Sequence, residues 1–123
     1  MRGVILQTDE QALQRHLDAQ PGDMVTRLVL ADLLEEQGRD DEAKAQRLLV
    51  EMKLWPDNHL YLTFERFPGY RWWSRATGEH NSRIYSAIPA KFQPYMPDGL
   101  WLYETRLEAE AVFLQALRDA GEL

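Results

Sequence analysis

The chain contains no cysteine, which excludes disulfides, thiol catalysis and thiolate-held metal, and suits a reducing compartment. No stretch approaches the ~18 to 20 uninterrupted apolar residues of a membrane span, and the opening MRGVILQTDE carries too short an apolar run for a secretory signal. A cytoplasmic location is therefore expected. Basic residues are also scarce: 14 Lys and Arg face 20 Asp and Glu, a net charge of −6, which argues against a general nucleic-acid binder. There is no glycine-rich phosphate loop, no GxGxxG and no glycine-flanked elbow around Ser74, Ser82 or Ser86. His16, His59 and His80 are too scattered to suggest a ligand set. Neither enzyme activity nor a cofactor nor a bound metal is expected.

What the chain does have is enough apolar matter for one compact domain: 123 residues, 45% hydrophobic and 11% aromatic. Its charge is uneven, with seven basic against eleven acidic residues in 1–56, five against four in 57–98 and two against five in 99–123. The middle third also holds most of the aromatics, so a localised function is expected there.

The central stretch is Asp23 to Gly38. Asp23 is an N-cap candidate and Gly38 a C-terminal stop. Val25, Val29 and Leu33 form one apolar face and Leu30 and Leu34 another. A helix with two apolar faces is expected to be covered on both, as the middle layer of a bundle. Before it, Thr8 and Gln11 have capping-box spacing, predicting a helix to about Gln20 that Pro21-Gly22 breaks. Its stripe is Leu13, His16 and Leu17, with His16 at the edge of the core. After it, Asp40 can cap a third helix, Asp41 to about Leu54, with Ala45, Leu48, Leu49 and Met52 on one face and Ala43, Val50 and Leu54 opposite. Trp55-Pro56-Asp57 ends the helical region.

From Leu60 the apolar period changes from 3.6 to 2, predicting a strand over 60–65. Pro68-Gly69 suits a type II turn, so 70–75 should return as the second strand of a hairpin. Further strands are expected at 83–88 and 100–104. Thr105 and Glu108 repeat the capping-box spacing before a final helix, 106–120, with Ala109, Phe113, Ala116 and Leu117 on one stripe and Gly121 as its stop. The expected fold class is α+β: an N-terminal three-helix bundle (1–56) followed by a small antiparallel sheet of three to four strands with a C-terminal helix (57–123), together one compact domain.

Pro21, Gly22, Asp23, Arg27, Leu28, Ala31, Asp32, Leu34, Glu35, Glu36 and Gly38 make residues 11–49 resemble the short repeat-companion domain of planctomycete-type proteins. Leu33 stands where that pattern has tryptophan, and Lys44-Ala45-Gln46 where it has a Glu-Phe-Ile-like stretch. The resemblance brings no catalytic residues. The same stretch resembles a single tetratricopeptide-like helical hairpin through Leu30, Ala31, Leu34 and Ala43, although Arg47 occupies a place usually aromatic and no second repeat follows.

Asp32, lying between Leu28 and Val25 on the helix, is expected to be partly buried and paired with an arginine, with a general base or metal ligand as the sharper alternative. Asp23 and Arg27 are expected to pair at i, i+4. Glu35-Glu36 and Asp40-Asp41-Glu42 read as a solvated acidic edge. The best site candidate is the hairpin, where arginines interleave with flat aromatic surface: Tyr61, Arg71, Trp73, Arg75 and Arg83 are the expected partner-binding residues. Strand alternation puts Trp72 and Trp73 on opposite faces, with Trp72 expected in the core and Trp73 exposed. The expected function is a non-catalytic protein–protein interaction module. The alternatives are a small acidic inhibitor of the phage or mobile-element type, acting on a defence or nucleic-acid-processing protein, and a nucleic-acid-binding module.

Overall fold

The computed structural model describes residues 2–58, 70–74, 79–80, 91–95 and 103–123. Four helices dominate them: α1 (Arg2–Ala19), α2 (Met24–Glu36), α3 (Asp40–Met52) and α4 (Arg106–Asp119). The other regular elements are three short strands, β1 (Leu54–Asn58), β2 (Tyr70–Ser74) and β3 (Glu79–His80), and one 3-10 turn, Gln93–Tyr95.

The helix ends follow from local chemistry. Asp23 accepts the backbone N–H of Thr26 and so satisfies one of the free donors at the start of α2. That bond, followed by the contact with His16, holds the Asp23 carboxyl below its ordinary pKa. Asp23→Ala is expected to lower stability by about 1 kcal/mol, and thermal melts of the two proteins check it. Gly38, at φ 77°, takes the left-handed conformation that lets the chain leave α2 and enter α3. Helix α3 starts at Asp40, with Arg39 rather than Asp40 at the capping position, and its first-turn carboxylates favour the positive end of the helix dipole. Lys53, with φ 55°, ends α3 and turns the chain into β1. Thr105 accepts from the Glu108 backbone at the start of α4, and Gly121 (φ 78°) follows its end.

Packing produces two adjoining cores. Leu17 of α1, Leu30, Ala31 and Leu34 of α2 and Ala43 of α3 form one. Ala45 and Leu49 of α3, Leu54 of β1, Phe92 and the α4 stripe Ala109, Phe113, Ala116 and Leu117 form the other. Helix α3 belongs to both and is the element they share.

The expected fold class is corrected by this arrangement. The described residues are mostly helical, and α4 packs against α3 as well as against β1 and β2. Strand structure among the described residues is a narrow ribbon in the order β1-β2-β3. Its first strand falls on Leu54–Asn58, where Pro56 was read as a helix stop alone. An edge strand has one side without ladder bonds, so proline is tolerated there. The expected strands at 60–65 and 83–88 lie outside the described residues. Of the one expected at 100–104, Tyr103 makes an isolated antiparallel bridge to Tyr70, with N···O distances of 2.7 and 3.0 Å.

Two further expectations fail. Helix α1 begins at Arg2, so the Thr8–Gln11 spacing lies inside it. Helix α2 is covered on one side only: Leu30, Ala31 and Leu34 are buried, whereas Val25 is 73% exposed, Val29 49% and Leu28 42%. It is not the middle layer of a bundle.

Candidate functional site

The polar interior explains why α2 is turned that way. Arg27 shares the inner side of the helix with Leu30, Ala31 and Leu34 and is as buried as they are. A guanidinium is tolerated there only if its charge and N–H groups are matched. Arg27 Nε donates to the Pro21 carbonyl at 2.9 Å, and Nη1 donates to Gln46 Oε1 at 2.8 Å and to Glu110 Oε2 at 3.0 Å. Glu110, on α4, also accepts from Arg106 Nη1 at 2.6 Å and from Gln46 Nε2 at 2.7 Å. Arg106 reaches back to α1, donating to Asp18 Oδ1 at 3.0 Å and to the Gln14 carbonyl at 3.2 Å, and contacting the Gln14 side chain as well.

The result is an arch of Arg27, Gln46, Glu110 and Arg106 that ties α1, α2, α3 and α4 together in the interior. Burial alone would push the Glu110 carboxyl up, but the charges of Arg27 and Arg106 and the Gln46 hydrogen bond outweigh it and hold the pKa below the ordinary value. Burial lowers the Arg27 pKa, against the pull of Glu110. Glu110 is therefore an ionised acceptor at neutral pH, engaged by Arg27, Arg106 and Gln46. Arg27 Nη2 has no hydrogen-bond acceptor among the described residues.

Beside the arch, α1 and α4 stand apart over α3 and leave a groove of about 900 Å³. Arg39 closes one end, donating to Glu10 at 2.7 Å and also to Glu42. Those two bonds, Glu10 first, raise the Arg39 pKa.

The outer face of α2 is the other notable surface. Among the described residues five large apolar side chains are exposed, and three of them, Val25, Leu28 and Val29, lie on this face. Asp32 sits among them, not buried as expected but with its side chain 74% exposed. The arginine expected for it is present: Arg47 Nη2 donates to Asp32 at 2.9 Å and to Glu35 at 2.8 Å. The burial inference failed because it took the flanking Val25 and Leu28 to be core. The expected Asp23–Arg27 pair is also replaced, since Asp23 contacts His16 at 2.7 Å and Arg27 turns inward. His16 is exposed and serves the α1–α2 corner.

Of the expected partner-binding residues, Arg71 and Trp73 belong to β2, where the pairing register sets Trp73 opposite Trp55 and Trp72 opposite Pro56. Tyr61, Arg75 and Arg83 lie outside the described residues, as do the side chains on which the aromatic-arginine surface depends. Residues missed from the sequence are Gln46, Arg106 and Glu110, together with the inward role of Arg27. A signal for them existed: Arg27 recurs at helical spacing with Leu30, Ala31 and Leu34, and Arg106 with Glu110 is an i, i+4 pair next to the Ala109–Phe113 stripe.

Among the described residues, no helix is long and apolar enough to cross a membrane, and no three His, Asp or Glu side chains gather as a metal site would require. Scanned against models of known families, against characterised proteins and against solved structures, the chain matches none.

Proposed function

We propose that the chain is a cytoplasmic, non-catalytic protein-interaction module that uses the outer face of α2 as a contact surface. The observation that carries this is the exposed aliphatic run Val25, Leu28 and Val29 on one helix face. A folded chain that could have buried those side chains instead buries Arg27 and leaves the aliphatics in water, and clustered exposed apolar groups mark contact sites. Asp32 and Glu36 continue the same face towards its C-terminal end, and both are exposed. The complementary partner is an amphipathic segment that offers aliphatic or aromatic side chains followed by lysine or arginine.

An amphipathic leucine-lysine helical peptide is a direct probe. It is expected to bind the wild-type chain, while a leucine-glutamate peptide of equal length does not. Val25→Ser/Val29→Ser is expected to weaken binding of the lysine peptide at least tenfold, a factor that corresponds to about 1.4 kcal/mol, with melting nearly unchanged because both sites face solvent. Equal binding by the double variant would remove this surface from consideration. The acidic-inhibitor reading is favoured by the exposed carboxylates of Asp32, Glu35 and Glu36. Salt separates the two readings: a contact dominated by charge weakens steeply as ionic strength rises, and an apolar contact does not.

A further inference from the structure

The groove between α1 and α4 is faced by Leu114 and Ala111, backed by the buried Leu34, Leu49 and Phe113, and interrupted by two polar side chains. Gln46 and Glu110, 8% and 7% exposed, open into it. Both belong to the arch, yet neither is saturated. Among the described residues Glu110 Oε2 accepts from Arg27 and Arg106, whereas Oε1 accepts from Gln46 alone. Gln46 Nε2 gives Glu110 one of its two hydrogens. One acceptor and one donor remain, on atoms 2.7 Å apart in two side chains that line the groove.

Charge and geometry choose what fits them. A cation would approach a carboxylate already held by two guanidinium groups, and an anion would meet the Glu110 oxygen itself. A neutral group with a donor and an acceptor side by side satisfies both atoms. In a primary carboxamide, nitrogen and oxygen share one carbon and lie about 2.3 Å apart, as the standard amide bond lengths require. A secondary trans amide directs its N–H and C=O to opposite sides and reaches only one of the two.

We propose that the groove is a binding site for a small apolar molecule carrying a primary carboxamide, whose N–H donates to Glu110 Oε1 and whose carbonyl accepts from Gln46 Nε2. The cavity of about 900 Å³ is of the size that encloses drug-sized ligands. Leu107, 53% exposed at the groove wall, supplies further apolar cover. This site is separate from the outer face of α2 and does not depend on it.

The test is an NMR titration of the full chain with 4-phenylbutanamide, its N-methyl derivative and 4-phenylbutanoate. The primary amide is expected to shift the Gln46 side-chain NH₂ and the Leu114 methyls, and to bind at least tenfold more tightly than either analogue. Ala111→Leu, an exposed position on the groove wall outside the arch, is expected to abolish that binding while melting stays as in the wild type. Equal affinities for the three compounds would overturn the carboxamide assignment. Undiminished binding by the Ala111→Leu variant, or no shift at Gln46 up to the solubility limit of the amide, would overturn the site itself.

Discussion

Glu110→Leu is expected to lower the free energy of unfolding by about 3 to 5 kcal/mol, because removing one member of a buried ionic group strands the rest. Arg27, essentially inaccessible to solvent, would then lack a counter-ion, Arg106 would keep only Asp18, and Gln46 would lose an acceptor. Denaturant melts measure the loss, and a variant as stable as the wild type would refute the arch. Replacing all three charges together, as Arg27→Met/Glu110→Leu/Arg106→Met, is expected to recover much of it, since apolar groups of similar volume need no counter-charge. The arch also has a pH signature. Two arginines hold the Glu110 carboxyl below its ordinary value despite burial. A carboxylate depressed in this way contributes fully above its unfolded value of about 4.3 and loses the contribution as pH falls through the lower folded value. Acidification through that window should destabilise the wild type, and Glu110→Gln should remove this part of the acid limb.

Phe113→Ala is expected to cost about 3 to 5 kcal/mol. Phe113 is wholly buried, edge-on to Phe92 with ring centroids 6.3 Å apart and planes at 87°, so truncation opens a void in the core it shares with Ala45, Leu49 and Leu54. Two leucines of α2 supply an internal comparison. Leu34, 2% exposed, should lose about 2 to 5 kcal/mol on truncation to alanine, while Leu28 on the outer face should change by no more than about 0.5 kcal/mol. Equal losses at Leu28 and Leu34 would mean that both faces of α2 are covered after all.

The sequence was informative where the determining chemistry is local. Asp23, Gly38, Thr105 and Gly121 mark helix ends through bonds and conformations within a turn of themselves. The stripe Ala109, Phe113, Ala116 and Leu117 was legible because α4 has a single apolar face. Helix α2 was not, because it carries aliphatics all round. Which side turns inward is decided by Arg27, whose acceptor Glu110 lies 83 positions away, and no local pattern encodes such a distant partner. The same distance hid the arch and put Asp32 on the wrong side. In β1, Pro56 carries two meanings, a helix stop and a tolerated edge-strand residue, and only pairing with Tyr70–Ser74 distinguishes them. The hairpin surface rests on side chains beyond those described, so its place in function is separate from the α2 reading.

The arch also sets an order of assembly. Synthesis delivers α1, α2 and α3 first, and α2 arrives with a guanidinium on its inner side whose counter-charge is still unmade. Only when α4 emerges, with Arg106 and Glu110 one turn apart, can that charge be neutralised and α1 be tied down through Gln14 and Asp18. Closure of this chain is thus a late, long-range event of the kind that slows folding. A nascent or truncated chain without α4 would expose Ala45 and Leu49 of α3 and keep Arg27 uncompensated, a state fitted for capture by chaperones or proteases rather than for independent folding.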